Sequence, residues 1–104
     1  MIFVETPVFT ALLTELLSDE EYARFQQFLA DHPDAGDVIH ETGGLRKVRW
    51  AAGGKGKRGG VRVIYFYADE VEQIRLLLIY RKGVKDDLSA AEKRVLKAIK
   101  ERWK

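Results

Sequence analysis

Two runs of strand-forming residues, Val61–Ala68 and Val71–Arg81, most constrain what this chain of 104 residues can fold into. Both are rich in valine, isoleucine and aromatic residues, and the short turn Ala68-Asp69-Glu70 separates them. A third run of this kind, Leu45–Trp50, precedes them, so three successive strands are expected to pair antiparallel. The last strand is apolar at nearly every position from Ile74 to Ile79, which predicts that both of its faces are covered.

Helices are predicted on either side of these strands. Thr6 followed by Pro7 is typical of a helix start, and apolar residues at helical spacing continue that helix to near Ser18. Ser18 and Glu21 form a capping box for a second helix, which should stop before Asp31-His32-Pro33. Residues 31–44 lack periodicity and are expected to connect this helical hairpin to the strands.

The complete pattern predicts one domain over residues 1–104 with the element order βααβββα. A short apolar start, Ile2 to Val4, supplies the first strand, and a capping box of Ser89 and Glu92 begins the closing helix. The fold class is α+β, with an antiparallel sheet packed against the N-terminal helical hairpin and the C-terminal helix.

Composition favours a soluble cytoplasmic domain that needs no metal. The chain has no cysteine, and its longest uncharged apolar run, Leu76 to Tyr80, is too short to cross a membrane. No basic segment leads into an apolar one at the N-terminus, so no membrane association is expected. The two histidines, His32 and His40, match no familiar metal-ligand spacing, and no cofactor is predicted.

Charge is distributed unevenly along the chain. Residues 1–42 carry nine acidic residues and one basic residue, a net −8, whereas residues 43–104 carry seven acidic and seventeen basic residues, a net +10. A basic half of this kind is typical of proteins that bind a polyanion, most often a nucleic acid. Attraction between the two halves within the fold is the alternative interpretation.

The glycine-rich segment Gly53–Arg62 is suited to hold phosphate. It gathers Lys55, Lys57, Arg58 and Arg62 without one acidic residue, and its glycines let the backbone approach a ligand closely. The segment leads into a strand, so it has no helix N-terminus behind it and is not a nucleotide-binding loop of the P-loop kind.

Strand periodicity predicts that cations converge at one end of the sheet. Arg62 should share a strand face with Ile64 and Phe66. On the last strand, Leu78, Tyr80 and Lys82 should share one face, and Leu77, Ile79 and Arg81 the other. Antiparallel pairing would bring Arg62 to Arg81 or Lys82, beside the glycine-rich segment. Such a cluster can bind phosphates, or lower the pKa of one lysine until it accepts a proton.

Three segments, Gly43–Trp50, Lys55–Tyr65 and Ile79–Lys82, together resemble the RelE superfamily of bacterial toxins, and within it the HigB-like members. Their order and spacing match over almost the whole chain. The resemblance implies a metal-independent endoribonuclease that cuts mRNA in the ribosomal A site and is neutralised by a cognate antitoxin, expected to be a helix-turn-helix DNA-binding protein. Its partners would be mRNA on the small ribosomal subunit and ribosomal RNA.

The resemblance also implies residue roles. Lys55 and Lys57 match loop lysines near the attacking 2′-hydroxyl, one of them a candidate general base. Arg62 matches an arginine that stabilises charge on the scissile phosphate, and Lys82 matches a residue that stabilises charge and can protonate the leaving 5′-oxygen. The residues assigned to RNA or ribosome contacts are Arg46, Lys47, Arg49, Arg58, Arg81 and Lys85.

One feature of the family is missing, and two other functions stay open. Some relatives have a base-stacking tyrosine just before or within the last helix, where this chain reads Asp86-Asp87-Leu88-Ser89. Tyr80, Tyr65 and Trp50 are either its replacement or core residues. The alternatives to the nuclease are a non-catalytic toxin on the same fold, such as a ParE-like gyrase inhibitor, and an RNA-binding module that does not cut.

Overall fold

The computed structural model describes residues 1–51, 60–85 and 87–103. It contains the predicted helices and strands, together with one further short strand. The elements are β1 (Ile2–Glu5), α1 (Pro7–Leu16), α2 (Asp19–Asp31), β2 (Asp37–Val38), β3 (Arg46–Trp50), β4 (Val61–Ala68), β5 (Gln73–Arg81) and α3 (Ala90–Arg102). None of the helices in these described ranges is long and apolar enough to cross a membrane.

The five strands form one mixed sheet in the order β1-β5-β4-β3-β2. All neighbours pair antiparallel except β1, which pairs parallel with residues 73–76 of β5. The prediction of an antiparallel sheet is therefore wrong for β1, because a short apolar run shows that a strand forms but not which strand it pairs with. The α+β class is confirmed, and β5 lies inside the sheet as predicted.

Both N-terminal helices begin at the caps read from the sequence. The Thr6 hydroxyl accepts a hydrogen bond from the Phe9 amide at 3.1 Å and donates one to the Leu77 carbonyl at 2.8 Å, so the same oxygen starts α1 and ties it to β5. Capping boxes are present at Ser18 for α2 and at Ser89 for α3.

Helices cover both faces of the sheet. The face that carries Val61 and Val63 packs against α1 and α2, and the opposite face, which carries Ile64, packs against α3. The first of these core clusters holds Phe9, Leu13, Leu17, Phe25, Leu29, Val48, Tyr65, Ile74, Leu76 and Ile79, and the second holds Leu45, Leu77, Tyr80, Leu88 and Leu96.

Two local features of the sheet differ from the strand pattern predicted from the sequence. A β-bulge between β4 and β5 places Leu77 in the α3-side cluster with Tyr80, so the prediction that Leu77 shares a face with Ile79 and Arg81 is wrong. The bulge adds one residue to β5, and strict alternation fails across it. β2 was not predicted because two residues show no periodicity.

Candidate functional site

Arg49, Arg62 and Tyr80 lie side by side across three strands on the α3 face of the sheet. Arg49 of β3 is directly opposite Arg62 of β4, and Arg62 is directly opposite Tyr80 of β5. Opposite residues of neighbouring strands share a face, with Cβ atoms roughly 4.5–5.5 Å apart. We refer to these three residues as the arginine row.

Two like charges in opposite positions destabilise a sheet unless something of the other sign compensates them. Arg49 is exposed and Arg62 is half-buried. Neither guanidinium group forms an ion pair with any described residue, and the contact that Arg62 does make is with the carbonyl of Val61 at 3.3 Å. Guanidinium groups match phosphate oxygens with two parallel hydrogen bonds, so an anion bound between them would remove the repulsion.

Lys82 extends this cationic surface, whereas Arg81 does not. The Lys82 amide donates to the Gly60 carbonyl at 3.1 Å, which fixes Lys82 beside the start of β4. Its side chain follows Tyr80 by two residues and is exposed. Arg81 is opposite Val61, whose side chain packs toward α1 and α2, so Arg81 lies on the other face. Of the two partners predicted for Arg62, strand alternation therefore favours Lys82.

The predicted cations Lys55, Lys57 and Arg58 lie outside the described residues. The segment that carries them joins the end of β3 to the start of β4. The last described pair of these strands is Trp50 with Val61, which adjoins the pair of Arg49 with Arg62.

Two further predicted contact residues, Lys47 and Lys85, have acidic partners. The Lys47 ammonium lies 3.1 Å from a carboxylate oxygen of Asp87, and the Lys85 ammonium pairs with Glu92. The hydrogen bond from Lys85 is the largest cause that holds the pKa of the Glu92 carboxyl below its usual value. The backbone hydrogen bond at Ser89 lowers it further.

Arg46, which was also predicted to contact RNA, makes structural hydrogen bonds. Its guanidinium donates to the carbonyls of Asp34, at 3.1 Å, and Gly36, at 2.7 Å. These bonds fasten the segment between α2 and β3 to the sheet. In this conformation Arg46 stabilises the fold and lies apart from the arginine row.

The aromatic residues considered as base-stacking replacements contribute to the core, although Trp50 is only partly buried. Tyr65 is fully buried, and its hydroxyl accepts from the Gly36 amide at 2.9 Å and donates to the Pro33 carbonyl at 2.8 Å. Trp50 packs against the rings of Phe25 and Phe28, with centroid distances of 5.3 and 5.4 Å.

The third of these aromatic residues, Tyr80, is also a core residue. Only 6% of its surface is exposed. Burial raises the pKa of the Tyr80 phenol, and the nearby Arg62 charge offsets part of that rise. The ring therefore has no free face for a base, and its hydroxyl stays protonated.

Sequence reasoning missed the pairing of Arg49 with Arg62, although it assigned both residues to the site. The register could have been predicted, because a loop that connects Trp50 to Val61 makes Trp50 and Val61 the last pair before that loop. The next pair inward is then Arg49 with Arg62. It also missed the place of Tyr80 in the row, because the register that sets Tyr80 opposite Arg62 is not encoded in either strand alone.

No family model matches the sequence. Within the described ranges, no three histidine, aspartate or glutamate side chains lie close enough together to hold a metal ion. The candidate site is a cationic surface formed by Arg49, Arg62 and Lys82, with Tyr80 beside it.

Proposed function

We propose that this protein is the toxin of a toxin–antitoxin pair, an endoribonuclease that enters the A site of the ribosome and cuts mRNA there. The single observation that carries the proposal is the directly opposed pair Arg49 and Arg62, whose charges no described carboxylate compensates. Such a pair fits a phosphodiester. The resemblance of the surrounding segments to RelE-like toxins supplies the reaction and the partners.

The reaction is an in-line attack by a ribose 2′-hydroxyl on the adjacent phosphorus. Lys55 or Lys57, as the neutral amine, takes the proton of the hydroxyl while the new bond from the 2′-oxygen to phosphorus forms. The bond from phosphorus to the 5′-oxygen breaks, and the Lys82 ammonium gives a proton to that oxygen. The products are a 2′,3′-cyclic phosphate and a 5′-hydroxyl.

Arginine charge has its largest effect at the pentacoordinate stage of this reaction. The phosphoryl oxygens carry more negative charge there than in the bound substrate, so cations fixed beside them lower the barrier. Arg62 lies in the middle of the arginine row, with Arg49 on one side of it. Loss of one such stabilising group typically slows catalysis by roughly 100-fold to 1,000-fold.

The proposed partners are mRNA on the small ribosomal subunit, ribosomal RNA and a helix-turn-helix antitoxin, and the proposed location is the cytoplasm. The net charge of +10 over residues 43–104 supports the RNA partners. Arg49 and Lys82, both exposed, are available for backbone phosphates.

Expression of the chain in growing bacteria, with mapping of RNA 5′ ends, tests the proposal. We expect cuts within translated codons that carry 5′-hydroxyl ends, and their loss in Lys57→Ala and Arg62→Ala. Arg24→Ala is the matched control, because it removes an exposed arginine from α2, which packs on the other face of the sheet.

The other outcomes separate the competing functions. Growth arrest with intact mRNA and broken DNA would refute the nuclease and favour a gyrase inhibitor. Translation arrest without cuts, together with RNA binding that depends on Arg62, would favour a module that occupies RNA and does not cut it.

A further inference from the structure

The Tyr80 hydroxyl is buried and has no hydrogen-bond partner, and it is the one side-chain polar atom of the described residues in that condition. Native proteins satisfy nearly all of their buried polar groups, because an unsatisfied one loses its hydration without replacement. The contrast with Tyr65 is direct, since that buried hydroxyl has two partners. An exception of this kind requires an explanation.

The charged groups around Tyr80 do not take its proton. Arg62, Asp87 and Glu92 are the charges that act on the phenol, and the Lys85 ammonium lies 5.5 Å from the centre of the ring. Asp87 accepts from Lys47, and Glu92 accepts from Lys85. Tyr80 belongs to the α3-side core cluster, together with the apolar side chains Leu45, Ile64, Leu77, Leu88 and Leu96.

The phenol is therefore a donor with an empty acceptor position beside the arginine row. Burial raises its pKa, so the proton stays on the oxygen at neutral pH. Arg62 has Arg49 on one side and Tyr80 on the other, each one strand spacing away, about 4.8 Å. An anion held at Arg62 lies within reach of donors from both neighbouring strands.

We propose that the Tyr80 hydroxyl is a third donor of this anion site, which donates to a phosphate oxygen of RNA held between Arg49 and Arg62. The inference rests on the proposed function and names a further substrate-binding residue for it. The Lys85 ammonium lies over the ring and is paired with Glu92 in the free protein. The group that is unsatisfied in the free protein is satisfied in the complex.

The proposal predicts an unusual combination of effects for Tyr80→Phe. The variant keeps the ring and removes only the unsatisfied oxygen, so we expect its Tm to rise by roughly 4–8 °C. The same variant loses one hydrogen bond to a charged phosphate, so its Kd for RNA should rise roughly tenfold or more. A role confined to packing would leave the RNA affinity unchanged.

Tyr65→Phe is the matched control on the neighbouring strand. It removes a hydroxyl that bonds to Gly36 and Pro33, so we expect a lower Tm and an unchanged Kd. The probe is a fluorescein-labelled single-stranded RNA with 2′-O-methyl riboses, which cannot be cut, and its binding to the full chain is measured by fluorescence anisotropy. Inorganic phosphate is titrated in parallel to separate recognition of a free anion from recognition of RNA.

Three results would overturn the inference. A lower Tm for Tyr80→Phe would show that the hydroxyl is bonded within the free protein, for example to Asp87 or Glu92. A higher Tm with unchanged RNA affinity would show a buried oxygen without a ligand. If the wild type itself binds no free RNA, this inference fails, and the mapping of RNA 5′ ends decides the proposed function separately. Wild-type binding that Tyr80→Phe leaves unaltered removes only the role of Tyr80.

Discussion

Neutralising Arg49 should stabilise the free protein, although the residue lies in the proposed site. If the two guanidinium charges keep the Cβ spacing of about 5 Å, they repel by about 0.8 kcal/mol in water, and Arg49 is exposed enough for the aqueous value to apply. At about 0.15 M salt the Debye length of about 8 Å reduces this to roughly 0.4 kcal/mol. Arg49→Gln is therefore expected to raise the free energy of unfolding by about 0.8 kcal/mol at low salt and by less as salt is added.

The assay is urea unfolding of the wild type, Arg49→Gln, Arg62→Gln and the double variant, in buffer free of phosphate and sulfate. Because the double-variant cycle isolates the interaction between the two side chains, it should return a repulsive coupling energy of about 0.4–0.8 kcal/mol. Arg24→Gln is the control, since Arg24 follows Glu20 and Glu21 on α2 by one helical turn, so that its loss should be neutral or destabilising.

A coupling energy of zero, or a gain in stability that does not shrink between about 0.02 M and 0.5 M salt, would refute the reasoning. Either result would mean that the two guanidinium groups point apart and do not form a common anion site. The same variants should bind RNA more weakly, with a salt dependence reduced by about one phosphate contact each.

Three further predictions concern the fold around the site. Thr6→Val should lower the free energy of unfolding by about 2 kcal/mol, because it removes both the cap of α1 and the bond to β5, whereas Thr14→Val on the exposed side of α1 should not. Glu92→Gln should be less stable than the wild type at pH 7, and thermal melts should show the gap closing as the pH falls below the ordinary glutamate pKa of about 4.3. The sign follows because Lys85 lowers the pKa of Glu92 in the folded protein, so its stabilising effect is lost as the pH falls through that pKa. Gly83→Ala should cost about 1 kcal/mol in urea unfolding from backbone strain alone, because Gly83 has a φ of +91° and a Cβ added there meets no other atom within 4 Å.

Local chemistry made most of the fold predictable. The caps at Thr6, Ser18 and Ser89 fixed three helix starts, because a hydroxyl that bonds a nearby amide depends only on neighbours in sequence. The limits of β4 were predicted from composition alone. The parallel pairing of β1 was not predictable, since it depends on contacts with β5 about seventy residues away.

The site was predictable only as far as strand alternation holds. Arg62 and Lys82 were expected at the same end of the sheet, and the backbone bond from Lys82 to Gly60 places Lys82 beside the start of β4. The neighbour directly opposite Arg62 depends on a register that no single strand encodes, and the bulge at Leu77 changes the faces further along β5. The empty acceptor position at Tyr80 arises from the packing of several elements together and has no sequence signature.

Placing the helices on two faces of the sheet gives the molecule an electric dipole through its thickness. Together, α1 and α2 carry five carboxylates and one arginine on one side, whereas α3 carries five cations and two carboxylates on the other, beside the arginine row. In the field of a polyanion, such a dipole turns the α3 side forward before contact, so diffusional encounters arrive with Arg49 and Arg62 leading. The rate of productive collision then depends on ionic strength through the orientation of the molecule as well as through its net charge of +2.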